Sequence, residues 1–370
     1  MNILILSDLI VYSGVGQYMV QLGEAIAENS INTVVLASPY IERTDIPSTI
    51  VKIKLTNTRN ILNYLRQLNS IVKKYNIEVV HCNHRKQAFM MKLYQLFFDK
   101  IATVWTCHTV PYPNNWIKRL FGYYGHKAIA ISTEAQIWMQ KELHIKESRI
   151  DKITNGVDNG SLVIPSIDKS KLKEHFFKRH FNEIIDGTIT DIIISHGRLD
   201  PVKGIHLLIE AFAQLDECQK HNIKIVLSGD TNVPYYQELI SLVTKYNLSD
   251  VVYFTGWISS NEILSIADIM VQPSYREGFP LAAIEAFFMK VPLIRTFTGG
   301  YEDMKDYCIG IPIHDVKAIN KELYNWISNP NSLKDMVEKA YQFAIREGTI
   351  KAMADRTIET YKRAIDISKL

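Results

Sequence analysis

The chain has 370 residues, of which 47% are hydrophobic and 22% charged, and its formal net charge is +3. This composition is that of an ordinary globular protein with room for two domains, and it shows no strongly basic domain of the kind that binds nucleic acid. The four cysteines show no spacing typical of a zinc site or a disulfide framework, which indicates a reducing, cytoplasmic environment.

The amino-terminal run Met1–Ile10 is apolar but short and is interrupted by Asp8, so we interpret it as a buried strand and not as a signal peptide. No apolar run reaches the roughly 18 residues needed to span a bilayer, and we expect no membrane-spanning helix. Residues 1–165 hold 18 Lys and Arg against 12 Asp and Glu, whereas the remainder holds 24 against 27. A basic first half favours an anionic surface or acceptor, and scattered solvated charges are the alternative.

Apolar strand-like runs alternate with amphipathic helical segments along the first half of the chain. The runs predict strands at Asn2–Ser7, Thr33–Ala37, Val79–Cys82, Thr103–Thr106 and Ala128–Ile131. Apolar residues at helical spacing predict helices at Gly16–Asn29, Ile61–Tyr75 and Thr133–Leu143. Strands separated by helices predict a parallel sheet.

A polar stretch, residues 166–190, interrupts this alternation, and we predict a linker between two domains there. The pattern then restarts, with strands at Asp191–Ser195, Lys224–Gly229, Val251–Thr255, Ile269–Gln272 and Pro292–Thr296 and helices at Ile205–Leu215 and Tyr235–Tyr246. The predicted fold class is therefore α/β, with two Rossmann-like domains, residues 1–165 and 191–345, facing across a cleft.

The strongest motif runs from Glu277 to Glu285, after the predicted strand Ile269–Gln272. It combines two carboxylates with Gly278 and with Pro280, which suits the first turn of a helix. If the whole segment were helical, the carboxylates would lie about 12 Å apart, too far for a glycosidase pair that flanks one bond. They suit two parts of one extended ligand, with the amides of the helix start facing a phosphate between them. A nucleotide sugar has that shape.

A second motif, Gly197–Gly204, follows the predicted strand Asp191–Ser195 and contains Arg198 and Lys203. An Arg fork and a compact Lys charge would stabilise a diphosphate leaving group, and an exposed basic loop is the alternative for this segment alone. The sequence has no Asp-x-Asp triplet, the pattern with which many transferases hold a diphosphate through a divalent metal. We therefore expect no metal and no cofactor.

Weaker signals stand after two strands of the first half. Gly14 and Gly16 mark either a tight turn or a close approach of backbone to phosphate. Met19 stands where a dinucleotide fingerprint has its third glycine, so NAD-dependent hydride transfer is not expected. His108 follows a predicted strand and is either structural or placed to donate a hydrogen bond to a sugar hydroxyl or phosphate. Gly299-Gly300 is similarly a turn or a point of close approach.

Together these motifs resemble the family 4, or group 1, glycosyltransferases, which have the two-domain GT-B fold. The resemblance extends over nearly the whole chain and rests on these segments: Ser13–Gly16, Ala128–Ser132, Asn155–Asp158, Gly197–Gly204, Phe254–Gly256, Glu277–Glu285 and Gly299-Gly300. Two positions depart from the family pattern: Ser13 stands where many members have glycine, and Lys290 where a small residue is frequent.

The resemblance implies a metal-independent transferase that moves a hexose or N-acetylhexosamine from a nucleotide sugar, more often UDP than GDP, with retention of configuration. It assigns Glu277 and His108 as candidate catalytic residues. The donor contacts that it implies are Arg198, Lys203, Gly14, Gly16 and Leu281 for the diphosphate, Glu285 for the ribose, Glu277, Gly278 and Phe279 for the sugar, and Gly256, Trp257 and Ile258 for the base. It also implies that residues 346–370 form a helix packing back on the first domain.

The acceptors of such enzymes are saccharides or lipid-linked saccharides, which implies a part in bacterial surface polysaccharide or lipopolysaccharide synthesis. Trp116–Tyr124, with Lys118 and Arg119, and the basic run His84–Lys86 are compatible with docking at an anionic membrane at its cytoplasmic face. An ordinary amphipathic helix is the alternative. A nucleotide-sugar epimerase or phosphorylase on the same fold, and a non-catalytic nucleotide-sugar binding module, remain as rival functions. No nucleic-acid partner is expected.

Overall fold

Two parallel β-sheets, each in a unit of its own, organise the chain. The computed structural model describes residues 1–28, 32–108 and 123–369. Their contacts divide the chain into unit 1, which is Met1–Val157 with Glu347–Leu370, and unit 2, which is Asp158–Arg346.

The strands of unit 1 are β1 (Ile3–Leu6), β2 (Leu9–Ile10), β3 (Val34–Ser38), β4 (Tyr40–Ile41), β5 (Ile50–Lys54), β6 (Val79–Cys82), β7 (Ala102–Cys107), β8 (Lys127–Ala130) and β9 (Ile150–Lys152). Seven of them form one parallel sheet in the order β5-β3-β1-β6-β7-β8-β9, and β2 pairs separately with β4. All four residues of the central strand β1 are buried. Such apolar runs are typical of parallel strands covered on both faces.

Unit 2 has a six-stranded parallel sheet with the order β12-β11-β10-β13-β14-β15. Its strands are β10 (Asp191–His196), β11 (Ile223–Ser228), β12 (Val252–Gly256), β13 (Ile269–Gln272), β14 (Leu293–Thr296) and β15 (Ile309–Ile311). The strand order reverses beside β10, because β11 lies on one side of it and β13 on the other. Loops that leave the carboxyl ends of strands at such a point diverge and leave room for a ligand.

Helices connect the strands in both units. In chain order they are α1 (Gly14–Ala27), α2 (Ile61–Lys74), α3 (Arg85–Phe97), α4 (Thr133–Leu143), α5 (Lys169–Phe181), α6 (Ile205–Ala213), α7 (Glu217–Lys220), α8 (Pro234–Lys245), α9 (Ser260–Ile266), α10 (Leu281–Phe288), α11 (Tyr301–Met304), α12 (Val316–Ser328), α13 (Lys334–Glu347) and α14 (Ile350–Ser368). Short 3₁₀ turns lie at Glu147–Arg149, Asn159–Ser161, Pro201–Lys203 and Pro330–Leu333.

The last helix, α14, belongs to unit 1, where it packs against α1 and β7. A buried polar chain ties it to the sheet: His81 Nδ1 lies 2.6 Å from Tyr361 Oη, and His81 Nε2 lies 2.6 Å from Thr106 Oγ1. Burial lowers the pKa of His81 to about 3, so the imidazole is neutral and forms one donor and one acceptor bond. The predicted carboxy-terminal segment, 346–370, thus contains a helix that is an integral part of the first unit.

The predicted linker, residues 166–190, needs correction because it lies inside unit 2. Residues Lys169–Phe181 form α5, and the ring centroids of Phe177 and Tyr253 are 5.1 Å apart. The units divide instead between Val157 and Asp158. The many charged residues of the stretch suggested a linker, but Phe176 and Phe177 supply a buried face that charge content alone does not reveal.

The buried ammonium of Lys173 anchors α5 to the amino-terminal edge of the unit 2 sheet. Its Nζ lies 2.6 Å from Asp268 Oδ2, which also accepts the backbone N–H of Ile192 at 2.8 Å. Asp268 Oδ1 pairs with Lys169 at 2.9 Å. One carboxylate therefore joins α5 to the starts of β10 and β13.

We expect Asp268→Ala to destabilise the protein by about 3 to 5 kcal/mol, because the buried Lys173 loses its counter-ion. Urea denaturation followed by circular dichroism measures this loss. The matched control is Glu217→Ala, which removes an ion pair whose carboxylate is 92% exposed and should leave the urea midpoint unchanged. Equal midpoints for both variants would contradict the anchoring role.

Candidate active site

Three neighbouring strands of unit 2, β10, β13 and β14, carry the loops that hold the residues singled out by the sequence. The Gly197–Gly204 loop follows β10, the loop containing Glu277 follows β13, and Gly299-Gly300 follows β14. Because parallel strands end at the same edge of a sheet, these loops lie side by side.

The loop after β10 presents one exposed and one half-buried cation. The side chain of Arg198 is 55% exposed, and its Nη1 donates to Asp200 Oδ2 at 3.2 Å. Asp200 Oδ1 also accepts the N–H of Val202 at 2.9 Å, which starts the 3₁₀ turn that carries Lys203. The turn thus fixes the backbone of both cations while the Arg198 guanidinium stays accessible.

An ion pair joins this loop to the next one. Lys203 Nζ donates to Glu277 Oε1 at 2.8 Å, and the Glu277 side chain is only 9% exposed. The backbone N–H of Tyr275 donates to the Val202 carbonyl at 2.8 Å. The structure therefore brings together the cation and the carboxylate that the sequence placed 74 residues apart.

A histidine braces the same two loops from behind. His206 Nε2 lies 2.6 Å from Tyr275 Oη, and His206 Nδ1 lies 2.6 Å from Tyr235 Oη, which also accepts the His206 backbone N–H at 3.2 Å. Burial lowers the pKa of His206, so we interpret the ring as neutral, with one nitrogen donating and the other accepting. His206, on α6, thereby links Tyr275 to Tyr235 of helix α8.

The glycine pair after β14 supports the Glu277 loop. A Cβ atom on Gly299 would lie 2.4 Å from the Glu277 carbonyl oxygen, and Gly300 adopts a φ of +79°. The fully buried Arg295 donates to the Gly299 carbonyl at 2.8 Å and to Thr298 Oγ1 at 3.2 Å. A glycine is therefore required at position 299 by its close contact with the Glu277 loop. Arg295 supports this loop and was missed by the sequence analysis.

The motif from Glu277 to Glu285 is only partly helical. Helix α10 begins at Leu281, and Pro280 is its N-cap, one position before the first turn in which the sequence analysis placed it. No side-chain hydrogen bond from the described residues caps this helix start. Phe279 is buried, and Gly278 precedes it in the same loop. The amides at the start of α10 are thus next to the Lys203–Glu277 pair along the chain.

Glu285, on α10, forms a hydrogen-bonded chain with two residues that the sequence analysis missed. Ser260 Oγ donates to Glu285 Oε2 at 2.9 Å, and His196 Nε2 lies 3.1 Å from the same Ser260 oxygen. Burial raises the pKa of Glu285 and lowers the pKa of His196 to about 4. His196 ends β10 and Ser260 starts α9, so neither carries a sequence signal linking it to the Glu277 motif.

The predicted base-binding segment lies at the end of β12. Gly256 has a φ of +71° with open space beside it, and the Trp257 side chain is 64% exposed. The rings of Trp257 and His196 are 5.9 Å apart, and Ile258 is half-buried. An exposed indole at the carboxyl edge of the sheet offers a flat apolar surface of the kind on which bases stack.

A cavity of about 10 Å³ lies beneath the Arg198 turn, about the size of one water molecule. Its lining includes Arg198, Lys203, Gln272 and Ser274. Among the described residues, the buried Gln272 Oε1 and Ser274 Oγ have no hydrogen-bond partner. Buried polar atoms are rarely left unpaired, which indicates a hydrated pocket next to both cations.

In unit 1 the predicted site residues have partners of their own. His108 is 6% exposed, its Nε2 lies 2.9 Å from Asn83 Oδ1, and its ring packs against Tyr18 with centroids 4.8 Å apart. Burial, together with His81 and His84, holds the pKa of His108 well below its ordinary value. The neutral ring therefore donates from Nε2 to Asn83 and has Nδ1 as its acceptor, so a sugar hydroxyl would donate to His108 and not the reverse.

The glycines near the start of α1 differ from each other. Ser13 Oγ accepts the N–H of Gly16 at 3.1 Å and caps the helix, which gives this departure from the family pattern a structural use. A Cβ on Gly16 would lie 2.0 Å from the Val11 carbonyl oxygen, whereas Gly14 has open space beside it. Gly16 is thus required by its own turn, and Gly14 leaves room for a ligand.

The predicted membrane-docking segment lies largely outside the described residues, which exclude Trp116, Lys118 and Arg119. In the nearby basic run, Lys86 pairs with Asp8 at 3.3 Å, and Arg85 donates to Tyr124 Oη at 3.4 Å. Within the described ranges, no group of three or more His, Cys, Asp or Glu side chains is arranged to hold a metal ion. None of the helices in the described part of the chain combines the length and the apolar character needed to cross a membrane.

Two known protein families match the chain. The family described as Glycosyl transferases group 1 matches residues 179–343, and Glycosyltransferase Family 4 matches residues 12–160. The chain belongs to the group 1, or family 4, glycosyltransferases. The two matches together take in most of the chain and include the loops after β10, β13 and β14, so the family predicted from the motifs is confirmed.

Curated relatives of this group 1 glycosyltransferase align over part of their length. A D-inositol 3-phosphate glycosyltransferase from Streptomyces bingchenggensis is 30% identical over 181 residues, 46% of this chain and 40% of the relative. A putative colanic acid biosynthesis glycosyltransferase from Escherichia coli K12 is 32% identical over 143 residues, 35% of this chain and 34% of the relative. The chain therefore spans less than half the length of these relatives.

Solved structures resemble the whole chain. A glycosyltransferase from Rickettsia africae has a TM-score of 0.82 at 21% identity, covering 98% of both chains. The Anabaena protein HepE in complex with UDP has a TM-score of 0.81 at 17% identity, covering 98% of this chain and 100% of that one. Identities this low show the fold alone, and they confirm the predicted α/β class with two Rossmann-like domains, the GT-B fold.

We expect Gly204→Ala to destabilise the protein by about 1 to 3 kcal/mol. Gly204 has a φ of +66°, and an added Cβ would lie 2.2 Å from the Pro273 carbonyl oxygen. Urea denaturation measures the loss. Gly14→Ala is the control, because its Cβ meets nothing within 4 Å, and it should be neutral or slightly stabilising. A Gly204→Ala variant as stable as this control would refute the tight contact between the two loops.

Proposed function

We propose that this group 1 glycosyltransferase is a retaining hexosyltransferase. It moves a hexose or N-acetylhexosamine from a nucleotide sugar, UDP in preference to GDP, to a saccharide or lipid-linked saccharide, without a metal cofactor. The observation that carries the proposal is the Lys203–Glu277 pair, in which a cation and a carboxylate meet at 2.8 Å at the carboxyl edge of the sheet. A donor needs both groups, because its leaving diphosphate is anionic and its sugar hydroxyls are hydrogen-bond donors.

Binding of the diphosphate is assigned to Arg198, Lys203 and the amides at Leu281. The exposed Arg198 guanidinium offers several N–H groups in a fork that matches phosphate oxygens. The Lys203 ammonium has three N–H groups and donates one of them to Glu277, so the others remain to bind a phosphate oxygen. These charges and the start of helix α10 supply the positive potential that a divalent metal provides in other transferases, which supports metal independence.

The remainder of the donor is assigned along the same edge. Glu285 accepts the ribose hydroxyls, Gly256–Ile258 meets the base, and the loop of Glu277, Gly278 and Phe279 meets the sugar. The Anabaena structure is described as a complex with UDP, which supports UDP as the nucleotide. The unit 1 contacts, Gly14, Gly16 and His108, stay predictions.

Retention is proposed through a front-face route, in which the leaving phosphate helps to accept the proton of the acceptor hydroxyl. Arg198 and Lys203 would stabilise that phosphate as its bond to the sugar breaks. Glu277 suits hydroxyl recognition better than covalent attack, because its Oε1 is already bonded to Lys203. Proton NMR of the product's anomeric centre reads out the configuration.

For the acceptor we propose a surface polysaccharide or lipopolysaccharide intermediate at the cytoplasmic face of the membrane. The Escherichia coli relative is named for colanic acid biosynthesis, which supports a polysaccharide acceptor. Contact with an anionic membrane rests on Trp116, Lys118 and Arg119, which lie outside the described residues.

We expect UDP, or failing that GDP, to bind in the presence of EDTA, and Arg198→Ala to raise the Kd about 10- to 100-fold, the worth of one or two charged hydrogen bonds. Isothermal calorimetry with UDP, GDP and their sugars measures both. Arg179→Ala is the control, since its side chain is 76% exposed and pairs with Glu262. Loss of binding on EDTA addition would overturn metal independence, and no binding of any nucleotide would overturn the transferase assignment.

We expect Glu277→Gln to lower the transfer rate about 10²- to 10³-fold while UDP binds as tightly as before or more tightly. The amide keeps the shape but accepts sugar hydroxyls less strongly, and it no longer repels the diphosphate. Initial rates and calorimetry with UDP separate the two effects. Glu217→Gln, an exposed carboxylate of unit 2, should change neither. Weaker UDP binding with unchanged turnover would contradict the sugar-binding role.

A further inference from the structure

We infer that Ser260, held by His196, is a positioning residue that orients the Glu285 carboxylate toward the ribose of the donor. The inference rests on the proposed function, and it deepens the ribose assignment of Glu285. It concerns residues of β10 and α9, outside the motif that contains Glu285.

The direction of the hydrogen bonds follows from counting protons. An ionised carboxylate only accepts, so the single hydroxyl proton of Ser260 is donated to Glu285 Oε2 over 2.9 Å. The Ser260 oxygen must then accept at its 3.1 Å contact with His196, which makes Nε2 the protonated nitrogen of that ring. The chain therefore runs from His196 Nε2–H through Ser260 Oγ–H to Glu285 Oε2.

Burial keeps His196 neutral, and at Glu285 the Ser260 hydrogen bond opposes the effect of burial on the pKa. The pKa of His196 is lowered to about 4, so the imidazole is neutral at physiological pH and carries only one N–H. Burial also raises the pKa of Glu285, which means that hydrogen-bond donors are needed to favour its ionised form. Ser260 supplies such a donor from the protein, and the ribose hydroxyls would supply further donors to Oε1.

Ser260 itself is held firmly because α9 is fixed on several sides. Ser259 Oγ caps the helix by accepting the Glu262 N–H at 3.2 Å, and Glu262 Oε1 lies 2.8 Å from His180 Nε2 on α5. The Val163 N–H donates to Asn261 Oδ1 at 2.8 Å. Helices α9 and α10 also pack together. The hydroxyl that restrains Glu285 is therefore attached to a rigid neighbouring helix.

Restraint of the Glu285 carboxylate changes the affinity for a nucleotide only through the hydroxyls of its ribose. A carboxylate already fixed in one rotamer loses less conformational entropy when it accepts the ribose hydroxyls. The Ser260 bond leaves Oε1 available for them among the described contacts of Glu285. A nucleotide without those hydroxyls would gain nothing from the restraint.

The test compares UDP with 2′,3′-dideoxy-UDP by calorimetry in EDTA, for the wild type and for Ser260→Ala. We expect the wild type to bind UDP more tightly than the analogue. Ser260→Ala should raise the Kd for UDP about 3- to 10-fold, the worth of one hydrogen bond, and leave the Kd for the dideoxy analogue unchanged. Ser260→Thr keeps the hydroxyl and should retain the preference. Ser265→Ala removes a hydroxyl from the same helix, where it bonds only its own backbone turn, and should change neither Kd.

The remaining outcomes are each decisive. Equal weakening of both ligands by Ser260→Ala would mean a general structural role and overturn the inference, as would no effect on either. If Ser260→Ala does not fold, His196→Leu removes the other end of the chain, and it should reduce the UDP preference in the same direction. A wild type that binds UDP and the analogue equally would overturn the ribose assignment but leave the transferase standing. Failure of the wild type to bind any nucleotide sugar or nucleotide would overturn both.

Discussion

The half-buried ion pair between Lys203 and Glu277 is the interaction on which the candidate site depends. Either charge alone would be costly at a position this shielded from water, so each loop is stabilised by the presence of the other. Two backbone contacts also hold the loops together: the Tyr275 N–H donates to the Val202 carbonyl, and Gly204 packs on Pro273. In the proposed function, a donor would therefore meet a cation and a carboxylate that are already in place.

Burial sets the charge state around this pair. The pKa of His196 is lowered, so its ring is neutral, whereas the pKa of Glu285 is raised. Apart from the ion pair, the accessible charge beside the cavity is therefore that of Arg198. Such a site is matched to a ligand that brings a concentrated negative charge of its own, and the neutral His196 acts as a directional hydrogen-bonding group toward Ser260.

Much of the fold was accessible from the sequence, because central parallel strands are continuous apolar runs between turn residues. The strands β1, β6, β10 and β13 were predicted close to their observed bounds. The outer strands β5, β9 and β15 were not predicted, since only Ile50 of β5 is buried, beside the exposed Lys52 and Lys54, and the other two strands have three residues each. The linker was misplaced because α5 buries Phe176, Phe177 and Lys173 in contacts that its charged composition conceals.

Of the site, the sequence by itself determined the residue types and their order: a basic loop after one strand, and paired carboxylates around a helix start after another. That information is local, because loop chemistry and helix starts depend on residues close together in the chain. Only the tertiary structure decided the partners. Lys203 meets Glu277, Ser260 lies between Glu285 and His196 in a hydrogen-bonded chain, and Arg295 donates to the Gly299 carbonyl. These contacts join residues from different strands and helices, and side-chain hydrogen bonds over such separations follow from sheet order and helix packing, which no local sequence pattern records.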